Sequence, residues 1–270
     1  MAGARDAVRE QILREVSHAI DELDMSQPPP VMGQRIHRIV RRLTGNADPY
    51  REVKDRFNRL ALELYPALKA RVDGSLEAAV RLAIAGNIID SGPNSHLDED
   101  DVRDGVEYAF AEPLVGSVEG FADAIAAAGS ILYLTDNAGE IVFDRLLIEL
   151  LPTEKVTVAV RGAPVINDAT RADAREAGLP DIVEVVDNGS DAPGTLLGDC
   201  SEDFRRRFRE AGLVISKGQG NYETLSDSRA GVFFLLKVKC PVIARDIGAE
   251  VGSMVLRAGS STAVVERGGG

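Results

Sequence analysis

Two adjacent oxygen donors, Asp136 and Asn137, follow the apolar run Ile131-Leu-Tyr-Leu-Thr135 and precede an amphipathic stretch from Glu140 to Leu150. In an open α/β sheet, bound molecules are found beyond the carboxyl ends of the strands, which is where such a strand-to-helix turn would put a carboxylate and a carboxamide. Paired oxygen donors of this kind suit a hard divalent cation. They equally suit the cap of the following helix, and this segment alone leaves both roles open. The arrangement recurs one β-α-β unit later in Arg161-Gly-Ala-Pro-Val-Ile-Asn167-Asp168-Ala-Thr170. Neighbouring parallel strands would present both loops to one point. Asp136, Asn137 and Asp168 then make three oxygen ligands, against the alternative that Asn167 or Asp168 caps a helix.

A third strand-like run, Leu213-Val-Ile-Ser216, ends in Lys217-Gly218-Gln219-Gly220-Asn221. A lysine followed by Gly-x-Gly lets a backbone approach a phosphate closely and offer N–H groups beside an ammonium. A plain tight turn is the competing reading, since neither the P-loop pattern nor the dinucleotide Gly-x-Gly-x-x-Gly is present. Alternation puts Lys237 and Lys239 on one strand face, where one would reach the site or both would protect a sheet edge. His18 and His37 fall in helical patterns and His96 in a polar loop, and no nucleophile elbow or Cys/His pairing occurs, which argues against serine or cysteine chemistry.

These loops need a scaffold. Residues 1–128 read as helices, broken at Pro28-Pro-Pro30, Gly45-Asn46, Pro66 and Gly92-Pro93, with no convincing strand. Val53, Phe57, Leu60, Ala61, Leu64 and Leu68 form one apolar face of a helix. Over 129–266 strands near 130–135, 155–160, 182–187, 213–216 and 232–238 alternate with helices near 140–151, 168–177 and 201–211, the pattern of a parallel sheet covered on both faces. Cys240 to Leu256 adds a helical turn and a last strand, and 267–270 is a disordered tail.

A net charge of −12 over 270 residues argues against nucleic-acid or anionic-membrane partners. The basic runs 35–42 and 205–207 have acidic neighbours and read as solvated helix faces. Two cysteines in no metal-binding or disulfide pattern, no signal-type N-terminus and no apolar run near the roughly 18 residues of a membrane span point to the cytoplasm.

Asp136-Asn137-Ala-Gly-Glu-Ile-Val-Phe-Asp144, Arg161-Gly-x-Pro-x-x-Asn-Asp168 and Lys217-Gly-Gln-Gly-Asn221, together with Gly45 to Lys54, Asn58 to Pro66 and Leu82 to Asp90, resemble the damage-control phosphatases in their compact prokaryotic subgroup. The cysteine-bearing N-terminal segment common in that subgroup is not found here. The resemblance implies a helical N-terminal part packed on a three-layer α/β/α sandwich with a mostly parallel, Rossmann-like sheet. It implies hydrolysis of phosphate esters of small metabolites, sugar phosphates or damaged phosphometabolites, with Mn, Mg, Co or Ni held by Asp136, Asn137 and Asp168. Asp136, Asp168 and Lys217 would be catalytic. Asn87, Asp90, Lys217, Gly218, Gln219, Gly220, Asn221 and Lys239 would bind substrate, and the attacking group would be water or Asp136 itself. Competing readings are a non-catalytic phosphometabolite-binding protein and a carboxyl methyltransferase, the latter weakened because the first strand ends in Asp-Asn-Ala-Gly rather than in a glycine-rich cofactor loop.

Overall fold

Runs of β-branched residues and leucine become interior strands here because helices cover the sheet on both sides, so alternate residues are buried on opposite faces. In the computed structural model, residues 6–86, 99–228 and 231–259 are described. Asn87, Asp90, the Gly92-Pro93 break, His96 and the 267–270 tail lie outside them.

The N-terminal part supplies α1 (Asp6–Asp21), α2 (Pro29–Thr44), α3 (Arg51–Val72), α4 (Leu76–Ala85), α5 (Glu99–Ala111), β1 (Leu114–Gly116) and α6 (Val118–Ala127). There follow β2 (Ile131–Leu134), α7 (Glu140–Ile148), β3 (Val156–Val160), α8 (Arg171–Glu176), β4 (Glu184–Asp187), α9 (Glu202–Glu210), β5 (Leu213–Lys217), α10 (Gln219–Leu225), β6 (Val232–Lys237), α11 (Pro241–Ile247) and β7 (Met254–Ala258). The seven strands lie in the order β1-β7-β6-β5-β2-β3-β4. β2 to β6 are parallel, whereas β7 runs antiparallel to β6 and pairs in parallel with β1.

Alternation divides the interior into two cores. Ile131, Tyr133, Val158 and Ile215 pack with residues of α3, α4, α6 and α7, while Leu132, Leu134, Val214 and Phe234 pack with α9, α10 and α11. After β2 the chain goes out to β3 and β4, then returns to β5 on the other side of β2. That reversal opens a crevice at the carboxyl ends of β2 and β5, where ligands of such sheets bind.

The helical half departs from its sequence in two places. Leu114–Gly116 forms a strand, because β7 offers a pairing edge that three residues cannot signal by their own periodicity. α3 runs through Pro66. The proline removes one backbone bond, but Phe57, Ala61, Leu68 and Val72 are buried in the core on either side of it, and that burial outweighs the local cost.

The basic run on α2 is used in ion pairs within the chain. Arg38 and Arg41 bind Asp191, Arg35 binds Glu22 and Arg42 binds Glu15, so α2 clamps α1 and the loop after β4. Arg207, in the other basic run, pairs with Glu184 and Asp203.

Candidate active site

The two acidic loops are zipped together. Thr135 donates its N–H and its hydroxyl to the Ala159 carbonyl, both at 3.1 Å, which fixes the exit of β2 against β3. One turn further, the Ala138 N–H donates to the Asn167 carbonyl and the Ala169 N–H to the Asp136 carbonyl, each at 2.8 Å. Asn137 and Asp168 thereby face each other as an antiparallel bridge. Neither loop spends these side chains on helix caps. α7 begins after Gly139, which has no side chain and a φ of 77°, and α8 is capped by a reciprocal box between Thr170 and Asp173. Gly139 thus occupies the N-cap position of α7 and Thr170 caps α8, which starts at Arg171, later than its sequence suggests.

Asp136, Asn137, Asn167 and Asp168 line a cleft of about 390 Å³ whose other walls are Tyr50, Val53 and Phe57 from the N-terminal part, Ile166, Pro193, Gln219, Gly220, Glu223 and Lys239. Ile166 has a φ of 42°, a left-handed conformation that a β-branched side chain adopts only when its surroundings impose it. Here the imposing bonds are those of its neighbours, Asp168 N–H to the Val165 carbonyl at 3.0 Å and Ala138 N–H to the Asn167 carbonyl.

Electrostatically, the cleft is dominated by crowded carboxylates. Burial, then Glu140, then Asp168 push the Asp136 carboxyl well above the ordinary carboxylate range, against the opposing pull of Arg161 and Lys239. Arg161 holds Asp168 at 2.6 Å and stands 3.8 Å from Asp136. Its own orientation comes from Thr195 and Asn221. The Asn137 amide nitrogen donates to Asp136 at 3.0 Å and to Glu140 at 3.2 Å. Glu140 in turn accepts from Lys217, so the amide is oriented from behind.

Does this set fit a divalent cation? Among the described residues no group of three or more His, Cys, Asp or Glu side chains is gathered as a metal centre. The donor set is instead two carboxylates and a carboxamide, oxygen ligands of the kind Mg²⁺ and Mn²⁺ accept. Burial first, and then the neighbouring Glu140 and Asp168 carboxylates, hold the Asp136 carboxyl up, and a dication bound beside it would favour its ionised form. The residues fit.

The Lys217 loop differs from its sequence reading. Lys217 is fully buried, and its ammonium binds Glu140 at 2.7 Å, Asp144 at 2.5 Å and the Ala83 carbonyl at 2.7 Å, away from the cleft. Gly218 commits its N–H to the Leu235 carbonyl, and the Asn221 amide binds the Thr135 and Lys217 carbonyls. Gln219, Gly220 and Lys239 do line the cleft, with the Gln219 side chain accepting from the Lys239 N–H at 2.9 Å. Lys237 instead lies over the Tyr108 ring. Ile166, Pro193 and Glu223 carry no sequence signal for the site, Tyr50 and Val53 fall in the Gly45 to Lys54 segment of the resemblance with no site role assigned to them, and Val53 and Phe57 are otherwise marked as an apolar face.

A family model of the damage-control phosphatase ARMT1-like domain matches residues 1–255. The chain belongs to this phosphatase family. A damage-control phosphatase of Archaeoglobus fulgidus is 41% identical over 235 residues, 84% of this chain and 81% of that protein. One from Pyrococcus horikoshii is 36% identical over 234 residues, 84% of this chain and 80% of its own length. The crystal structure of a DUF89 family protein of Pyrococcus horikoshii has a TM-score of 0.88 at 32% identity, covering 96% of this chain and 92% of that one. Membership of a phosphatase family does not favour methyl transfer or passive metabolite binding. Among the described residues no helix is long and apolar enough to cross a membrane.

Proposed function

We propose that this phosphatase is metal-dependent, that it hydrolyses phosphate monoesters of small, damaged metabolites in the cytoplasm, and that Asp136, Asn137 and Asp168 hold its cation. The observation that carries the reading is the zipped pair of loops, which brings three oxygen-bearing side chains from two strand ends to the lining of one small cleft. Bound there, Mg²⁺, Mn²⁺, Co²⁺ or Ni²⁺ supplies charge neutralisation at a phosphoryl oxygen. Lys239 and the Gln219-Gly220 turn border the same cleft and contribute the protein's own positive charge and backbone to the phosphate. Asp136 either attacks phosphorus or orients the attacking water, and phosphoryl transfer asks little more of the protein than positioning and charge stabilisation. A cleft of about 390 Å³ admits a compact metabolite. The cytoplasmic assignment is supported by two cysteines that are both free thiols.

A panel of phosphorylated sugars and related monoesters, assayed with EDTA and with each added metal, tests this. Activity is expected only with metal and is expected to vanish in Asp168→Ala; hydrolysis that ignores EDTA sinks the reading. Trapping a phosphoryl group on Asp136 would exclude direct attack by water.

Gly218 has a φ of 80°, and a Cβ there would stand 2.0 Å from Asp136 Oδ2. Gly218→Ala is therefore expected to displace the carboxylate and slow turnover by about 100-fold, the usual cost of ångström-scale misplacement. A variant with wild-type kcat would show that Asp136 has room to spare.

A further inference from the structure

Asn58 is fully buried on α3, in a helix face otherwise occupied by Phe57 and Ala61. Burying an amide is costly unless both of its ends are bonded. Here they are, and the partners are informative. Its oxygen accepts from the Gly139 N–H at 2.6 Å, while its nitrogen donates to Asp173 at 3.1 Å and to Glu176 at 2.7 Å. Gly139 lies two residues beyond Asn137. The other oxygen of Asp173 accepts from the Thr170 N–H at 2.8 Å and hydroxyl at 2.7 Å, and Thr170 lies two residues beyond Asp168. Arg51 and Lys54, on the same helix, each bind Asp173 at 2.9 Å and neutralise it.

One helix thus holds both acidic loops from behind, through a chain of hydrogen bonds that starts at one loop and ends at the other. The zipper joins the loops through backbone bonds, which leave the angle between them to whatever grips their far ends. A side chain with an acceptor and two donors, short enough to reach Gly139 from α3, meets that need. Neighbouring Phe57 lines the cleft itself, so the same turn of helix sets the wall and the loops together.

We propose that Asn58 is a positioning residue of the metal site, a brace that fixes the Asn137 and Asp168 loops at one spacing. This rests on the metal-dependent reading above. Without the brace, Asp136, Asn137 and Asp168 are all present but their oxygens no longer converge.

The test is Mn²⁺ titration by calorimetry on wild type and Asn58→Ala, with the melting temperature of the metal-free proteins and KM at saturating Mn²⁺ measured alongside. The Mn²⁺ Kd is expected to weaken by about 10- to 100-fold, as for other partners behind metal ligands, with KM within about twofold of wild type. An Asn58 that merely stabilised the fold would lower the melting temperature and leave the Mn²⁺ Kd unchanged, and that result overturns the proposal. Thr170→Val removes the hydroxyl bond at the other end of the chain, leaving the backbone N–H of residue 170 and the Asn58 amide on Asp173. It is expected to weaken Mn²⁺ binding at least threefold, and an unchanged Kd in it overturns the brace even if Asn58→Ala does not fold. Failure of wild type to bind Mn²⁺ overturns the metal reading itself, whereas tight binding by wild type and both variants overturns the brace alone.

Discussion

Asp136→Asn is expected to lower kcat by on the order of 10³-fold, about 4 kcal/mol of transition-state stabilisation, while leaving the metal-free protein at least as stable as wild type. The two effects have opposite signs for one reason. In the folded protein Asp136 is buried against Glu140 and Asp168, and its carboxyl is held well above its ordinary value of 3.8. Ionising it there is unfavourable without a cation, so a neutral isostere relieves the penalty. The sign can be followed with pH. Below 3.8 the aspartate is protonated in both folded and unfolded chains and the substitution gains nothing. Above that value the unfolded chain ionises more readily than the folded one, so the advantage of the Asp136→Asn protein grows as pH rises. Calorimetry in EDTA across pH 4 to 8, beside a phosphatase assay in saturating Mn²⁺, checks both halves. Activity within tenfold of wild type would remove Asp136 from the centre of the chemistry, and a melting temperature lowered by several degrees at neutral pH would overturn the stability half. Such a site sacrifices stability for function, as active sites commonly do.

The residues at that centre are readable because strand ends are readable. Apolar runs at Ile131 and Val156 fix where β2 and β3 stop, and one crossover between them makes Asp136 and Asp168 neighbours. The side-chain direction at Lys217 is equally available, although the Gly-x-Gly that follows it draws attention to the cleft. Alternation along β5 puts Lys217 on the same face as Ile215, beneath α4 and α7, and Ser216 on the other. On α7, Glu140 and Asp144 are four residues apart and form one acidic face. Parity on the strand and spacing on the helix together point the ammonium at that face. Other parts have no such trace. The left-handed Ile166 is set by bonds of the opposing loop, and an isoleucine is the last residue type to advertise it. Pro193 reaches the cleft because Asp191 is gripped by Arg38 and Arg41, a long-range contact that local sequence does not encode. β1 exists only as the partner of β7.

That geometry at Lys217 makes its replacement a matter of folding more than of substrate binding. Lys217→Met keeps the length of the side chain and removes the ammonium bound to both Glu140 and Asp144, which are almost wholly buried. Asp144 keeps its bond from the Tyr133 hydroxyl at 2.8 Å, but its other oxygen has no hydrogen-bond partner among the described residues. Stranding buried charge in this way costs about 3–5 kcal/mol, which for a chain of this size lowers the melting temperature by roughly 10 °C. The deficit should depend on pH. Burial already lifts the Asp144 carboxyl to about 6 with the lysine present, and without it that carboxyl takes up its proton at higher pH still. Protonation discharges Asp144, so the loss is expected to be largest near pH 8 and to shrink towards pH 5. Asp144→Asn added to Lys217→Met should recover part of it, since a neutral amide needs no counter-ion. Activity should also fall, because Glu140 loses the partner that holds it against Asn137. Scanning calorimetry at pH 5 and 8, with KM measured on the folded fraction, separates this from a phosphate-binding role. A lysine that gripped substrate would raise KM and leave the melting temperature within a degree or two of wild type, and that outcome would return Lys217 to the cleft.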